Sequence, residues 1–135
     1  HRGDIVVFPS PAVPAEDETF VEGIVHDVLE AVALRDPGDR ELIKRIVGLP
    51  GEVIEGRNGR VEIDGRVLFE PYLPRGVLTT DFGPITVPEG SVFVLGDNRT
   101  NSHDSRFPDV GPIRIETIVG RAIARVWPPG RNAFL

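Results

Sequence analysis

Lys44 interrupts an apolar run, Leu42-Ile43-Lys44-Arg45-Ile46-Val47. Side chains alternate along a strand, so Lys44 would share a face with Leu42 and Ile46 while Arg45 points to the other. Two states are open to such a lysine. A solvent-facing one is the commoner, because lysine is rarely buried. A desolvated one has a chemical use. An ammonium near its reference pKa of about 10.4 cannot accept a proton at neutral pH. Burial against apolar neighbours disfavours the charged form and lowers that pKa towards the range of a general base.

The second stretch able to do chemistry is Gly96-Asp97-Asn98-Arg99-Thr100-Asn101-Ser102-His103-Asp104-Ser105-Arg106, which follows the apolar run 91–95. A surface turn needs one or two of Gly, Asn and Asp for its backbone angles. It does not need two arginines, two serines and two aspartates. This loop is composed to hold something by hydrogen bonds and ion pairs, and Gly96 lets the chain turn tightly out of the strand.

Other candidates carry less. His103 stands between Ser102 and Asp104, but neighbours on a loop seldom converge in space, and a triad is defined by geometry. It is read as exposed. His26 lies four residues from both Glu22 and Glu30, a spacing for surface pairs on a helix. No histidine and carboxylate cluster has ligand spacing for zinc. Ser10, held in Pro9-Ser10-Pro11, fits an extended loop and not a nucleophile.

These residues must be positioned by short strands. Residues 4–8 read as a buried strand stopped by Pro9, Pro11 and Pro14. Thr19 with Glu22 forms a capping-box signature. Phe20, Ile24, Val28 and Val32, joined by Val21, Val25 and Leu29, form an amphipathic stripe, and Arg35-Asp36-Pro37-Gly38 ends it. The pattern predicts a helix over 20–34. Residues 41–49 are a strand, and Leu49-Pro50-Gly51-Glu52 suits a type II turn. Asn58-Gly59 and Asp64-Gly65 are hairpin signals separating strands over 52–55, 60–63 and 66–69. A loose stretch rich in Pro and Gly, 71–90, precedes the strand 91–95, and 118–126 closes the pattern. The fold class expected is mostly β, an antiparallel barrel or sandwich with one inserted helix.

Composition bounds the function. A chain of 135 residues suffices for one domain with a real core. A net charge of −6 argues against a nucleic-acid surface. With no cysteine, disulfides and thiolate metal sites are excluded. No run approaches the roughly 20 apolar residues of a membrane helix. A chain that opens His1-Arg2-Gly3-Asp4 and contains no methionine is expected to be a processed or excised domain.

Three segments, Arg2-Gly3-Asp4-Ile5-Val6-Val7-Phe8, Ile43-Lys44-Arg45-Ile46-Val47-Gly48-Leu49-Pro50-Gly51-Glu52 and the loop 96–106, resemble the type I signal peptidases in content and order. The resemblance covers 2–8, 41–52 and 91–106, with weaker agreement through 120–128. It implies a membrane-anchored serine protease with a Ser-Lys dyad, which removes signal peptides from exported preproteins on the extracytoplasmic face of the bacterial membrane.

On that resemblance Lys44 matches the lysine that takes the serine proton. Ser102 matches the serine that orients the lysine amine. Arg45 and Asp97 match a structural pair, and Asp104 and Arg106 match an ion pair that stiffens the loop. Val7 and Ile43 fall near two shallow pockets for small residues of Ala-x-Ala type. The family's nucleophilic serine, in a Ser-x-x-Pro-type stretch, precedes the first segment, so these 135 residues are expected to be inactive by themselves. No metal or organic cofactor and no nucleic-acid partner is implied. Two other readings stand beside this one. The first is a self-cleaving repressor-type Ser-Lys protease, which should lack the 96–106 loop pattern. The second is a β-barrel module that only binds extended peptides.

Overall fold

The computed structural model describes residues 1–10 and 41–122, together with the backbone of 124–125 and 133–134. Its strands are β1 (Ile5–Pro9), β2 (Glu41–Gly48), β3 (Val53–Arg57), β4 (Arg60–Ile63), β5 (Arg66–Val67), β6 (Phe82–Thr86), β7 (Ser91–Leu95), β8 (Ile113–Arg114), β9 (Gly120–Ala122), β10 (Ala124–Arg125) and β11 (Ala133–Phe134). One turn of 3-10 helix, Ile115–Thr117, follows β8. The helix expected over 20–34 lies outside the described residues. Among the described residues no helix is long and apolar enough to cross a membrane.

Turn chemistry sets the strand boundaries of the meander. Asn58 and Gly59 have φ of 52° and 79°, and Asp64 and Gly65 have 50° and 79°. Two successive positive φ values are the type I′ pattern, whose twist matches that of the flanking strands. β3, β4 and β5 are thereby stacked antiparallel, with Ile54 opposite Ile63 and Glu62 opposite Val67. β6 pairs with the other edge of β3, giving a four-stranded sheet in the order β5-β4-β3-β6.

The second sheet has five strands in the order β8-β7-β2-β1-β9. β1 lies antiparallel to β2 with Val6 opposite Lys44 and Val7 opposite Ile43. β2 in turn pairs with β7, Arg45 opposite Leu95 and Ile46 opposite Val94. A two-stranded ladder of β10 and β11 completes the described pairing.

Alternation along β7 produces two cores. Phe93 and Leu95, with Val47 of β2, face Ile54 and Val61 of the four-stranded sheet and enclose Val87. The rings of Phe82 and Phe93 stack across this interface, centroids 5.4 Å apart. Val92 and Val94 point the other way and pack with Val6, Phe8, Ile46 and Ile113. All five residues of β7 are buried as a result. Neither sheet closes on itself, since β8 and β9 remain edges of one and β5 and β6 of the other. Of the two mostly β arrangements the sequence left open, the described residues form the sandwich.

Two local expectations are corrected, and one segment without an assignment gains structure. The loose stretch 71–90 contains β6. Gly83 and Pro84 hide it, because both count against a strand, yet β6 is an edge strand, where a missing N–H is tolerated. The segment before the last strand holds β8 and the 3-10 turn. The long last strand over 118–126 is also broken up. β9 begins at Gly120, Ala124 and Arg125 belong to a different ladder, and Ile118 is a partly buried flank of the second core.

Candidate active site

Lys44 shares the inner face of β2 with Ile46, directly across from Val6, so its alkyl stem runs along the second core. Its Nζ donates a hydrogen bond of 3.0 Å to Ser102 Oγ. Desolvation holds the ammonium below the ordinary lysine value; the Asp104 carboxylate pulls it back up and the Arg106 guanidinium pushes it down. Of the two states open to Lys44 in the sequence, this is the desolvated one. Proton release leaves a lone pair on Nζ that can take a proton from a nearby hydroxyl.

Ser102 reaches Lys44 because the loop folds back along the end of β7. Ser105 accepts from the Val94 N–H through Oγ (2.9 Å), and its own N–H bonds to the Val94 carbonyl (3.1 Å). Asp104, fully buried, accepts from the Gly96 N–H at 3.0 Å and takes a two-point ion pair from Arg106 at 2.8 and 2.9 Å. The Asp104–Arg106 pair is therefore internal, with side chains 0% and 7% exposed. Arg106 also donates to the Arg99 carbonyl at 3.0 Å.

Gly96 has a different role from the one its place after a strand suggests. Its φ is not positive. A Cβ there would collide with the Ser102 hydroxyl and stand 3.6 Å from Lys44 Nζ. Close approach of a side chain is what requires glycine here.

On the opposite face Arg45 makes a fork of two bonds to Asp97, 2.9 and 2.7 Å, and a third to the Gly3 carbonyl at 2.9 Å. Its guanidinium carbon lies 4.0 Å from the centroid of the Tyr72 ring. Tyr72 donates to Glu70 Oε1 at 2.7 Å, and burial beside that carboxylate pushes its phenol up, so it remains a donor. Glu70 also grips Arg99 at 2.6 and 3.1 Å. Arg99, its side chain fully buried, bonds to Thr79 Oγ1 at 2.8 Å and to the Gly96 carbonyl at 3.0 Å. Glu70, Tyr72 and Thr79 are site residues the sequence reading missed. The available signal was an acid and a phenol two apart in Phe69-Glu70-Pro71-Tyr72, inside a stretch otherwise read as loose.

Val7 and Ile43 are brought together as direct cross-strand partners, Val7 buried and Ile43 partly so, and neither belongs to the two core clusters. Ser102 opens on a cleft of about 430 Å³ whose other walls include Asp81, Phe82, His103 and Phe107. His103 is half-buried instead of exposed, because its ring packs on Phe107 and its Nε2 lies 2.7 Å from Asp109 Oδ2. Ser102, His103 and Asp104 thus have three different partners and form no triad. Among the described residues, no group of three or more His, Asp or Glu is placed to hold a metal ion.

Fold and cluster define an antiparallel β sandwich carrying a desolvated lysine hydrogen-bonded to a loop serine. The family model described as signal peptidase, peptidase S26, matches residues 1–127, and the chain belongs to that family. It is similar to a signal peptidase I of Leptolyngbya laminosa, 38% identical with 96% of this chain and 54% of that protein covered. Similarity to signal peptidase I of Mycobacterium tuberculosis is 32% identity, covering 96% of this chain and 53% of that one. The chain thus spans about half the length of these curated relatives. Among solved structures, a signal peptidase I from Enterococcus faecalis V583 aligns with a TM-score of 0.60 at 30% identity, over 90% of this chain and 94% of that one.

Proposed function

We propose that this chain is the catalytic region of a membrane-anchored serine endopeptidase that removes N-terminal signal peptides from exported preproteins, working on the extracytoplasmic face as one peptidase domain. The observation that carries this is the 3.0 Å contact between desolvated Lys44 and Ser102 in a member of the signal peptidase family. Lys44 is the general base. Ser102 holds its amine in line, and the pairs Arg45–Asp97 and Asp104–Arg106 keep strand and loop in place.

The nucleophile is a serine upstream of 2–8, where the family's motif order puts it. Its hydroxyl proton passes to neutral Lys44 Nζ as its oxygen bonds to the scissile carbonyl carbon. Collapse of the adduct breaks the C–N bond, and the Lys44 ammonium returns the proton to the leaving amine, the new N-terminus of the mature protein. Lys44 then takes a proton from water as the water oxygen attacks the acyl ester, and passes that proton to the departing serine oxygen, which frees the signal peptide and restores the dyad. Val7 and Ile43 wall shallow pockets selecting small residues of the Ala-x-Ala type. No step calls for a metal or organic cofactor, and residues 1–135 without that serine are inactive.

The test uses the full-length protein that contains this chain. Lys44→Ala is expected to abolish preprotein cleavage while the thermal unfolding transition persists. Unchanged turnover in that variant refutes the assignment of the base.

A further inference from the structure

Glu70 and Tyr72 stand two residues apart in the connection between β5 and β6, outside every strand. From this one point they reach both halves of the site. Tyr72 underlies Arg45, the neighbour of Lys44 on β2, which in turn forks onto Asp97 at the start of the loop. Glu70 grips Arg99, whose Nε is bonded to the Gly96 carbonyl. Gly96 is the residue against which Ser102 rests and whose N–H is held by Asp104. The Tyr72 hydroxyl joins the two arms at Glu70 Oε1.

We propose that Glu70 and Tyr72 are positioning residues of the reaction, a brace that fixes the distance and hydration of the Lys44–Ser102 pair through Arg45 on one side and Arg99 on the other. The inference rests on the reading of Lys44 as the base. It goes beyond a stabilising ion pair on two grounds. The Arg99–Glu70 pair has side chains 0% and 9% exposed, and a buried pair is weak evidence for stability because apolar residues could often replace it at no loss. What aliphatic residues could not supply is directional bonding to the Gly96 carbonyl and a flat ring under Arg45. The charged groups that act on Lys44 are Asp104 and Arg106 of the loop. From the β1 and β9 side, Asp4 and Arg121 are 3.4 Å apart and paired with each other. Loosening the brace therefore changes how much water reaches Lys44 without removing either charged neighbour.

The experiment is the pH dependence of kcat/KM for preprotein cleavage by the full-length protein. Glu70→Gln and Tyr72→Leu admit water to Lys44, so their acidic limb should move to higher pH by about one unit. Tyr72→Phe keeps the ring under Arg45 and loses only the hydroxyl bond to Glu70, so its limb should move less than that of Tyr72→Leu. Glu116→Gln, which removes an ion pair to Arg114 with both side chains more than two-thirds exposed, is the control and should leave the profile in place. Unmoved limbs in both Glu70→Gln and Tyr72→Leu, with Lys44→Ala inactive, overturn the brace alone. An equal shift in Glu116→Gln also overturns it. Turnover by Lys44→Ala instead removes the reading on which the brace rests. Should Glu70→Gln fail to fold, the comparison of Tyr72→Leu with Tyr72→Phe decides alone.

Discussion

The working distance of the site depends on an absent side chain. Gly96 leaves room for Ser102 Oγ to approach Lys44, and the nearest atoms to a Cβ built there belong to Ser102 and Lys44. Gly96→Ala is therefore expected to push Ser102 off Lys44 and lower preprotein cleavage by a factor of ten or more, about 1.4 kcal/mol in transition-state terms. Equal cleavage rates for the two proteins would show that the contact is incidental. At this scale the sequence was informative where residue types conflict with their setting. A lysine in an apolar strand and a loop overloaded with charge both stand out. Gly96 after a strand does not, since a turn explains it as well as a close approach does. His103 escaped for a similar reason, its partner Asp109 being six residues away on the same loop.

At the scale of elements, the loop 96–106 is held to β7 by hydrogen bonds that imitate strand pairing. Ser105 bonds twice to Val94, and Asp104 fixes the Gly96 N–H while neutralising Arg106. Removing one charge of a buried pair leaves the other uncompensated and costs about 3–5 kcal/mol. Asp104→Asn should lower the unfolding free energy by about that amount in denaturant titration, whereas an unchanged midpoint would mean that the pair is solvated in solution. The meander and the β1–β2–β7 pairing were legible because type I′ dipeptides and apolar runs mark them locally. β6 was not, because edge position excuses a proline that local rules count against a strand. Glu70 and Tyr72 shared its obscurity. Their partners Arg45 and Arg99 lie in other segments, and no spacing within the chain announces the contact.

Across the whole molecule, the two sheets give β2 and β7 a core on each face, and this doubly packed pair carries Lys44 on β2 beside the point where the loop leaves β7. The segment order and the mostly β class could be read from the chain, but not the choice between barrel and sandwich, since closure depends on which edges meet and not on the strands themselves. The same packing accounts for the desolvation of Lys44, which shares a strand face with Ile46 of one core and lies across from Val6 of the same core.

A lysine whose folded pKa is below its unfolded one binds fewer protons when folded, so this group makes the fold more stable as pH rises from the folded value towards the unfolded one. The protonation state of Lys44 is thus open to direct measurement, by titration of Lys44 Nζ with NMR in the folded protein. The midpoint should lie below that of the exposed lysine reference and move upward when Tyr72 is replaced by Leu. A midpoint at the ordinary lysine value of about 10.4 would contradict the reading of Lys44 as the base, because a permanently charged ammonium cannot take the serine proton at neutral pH.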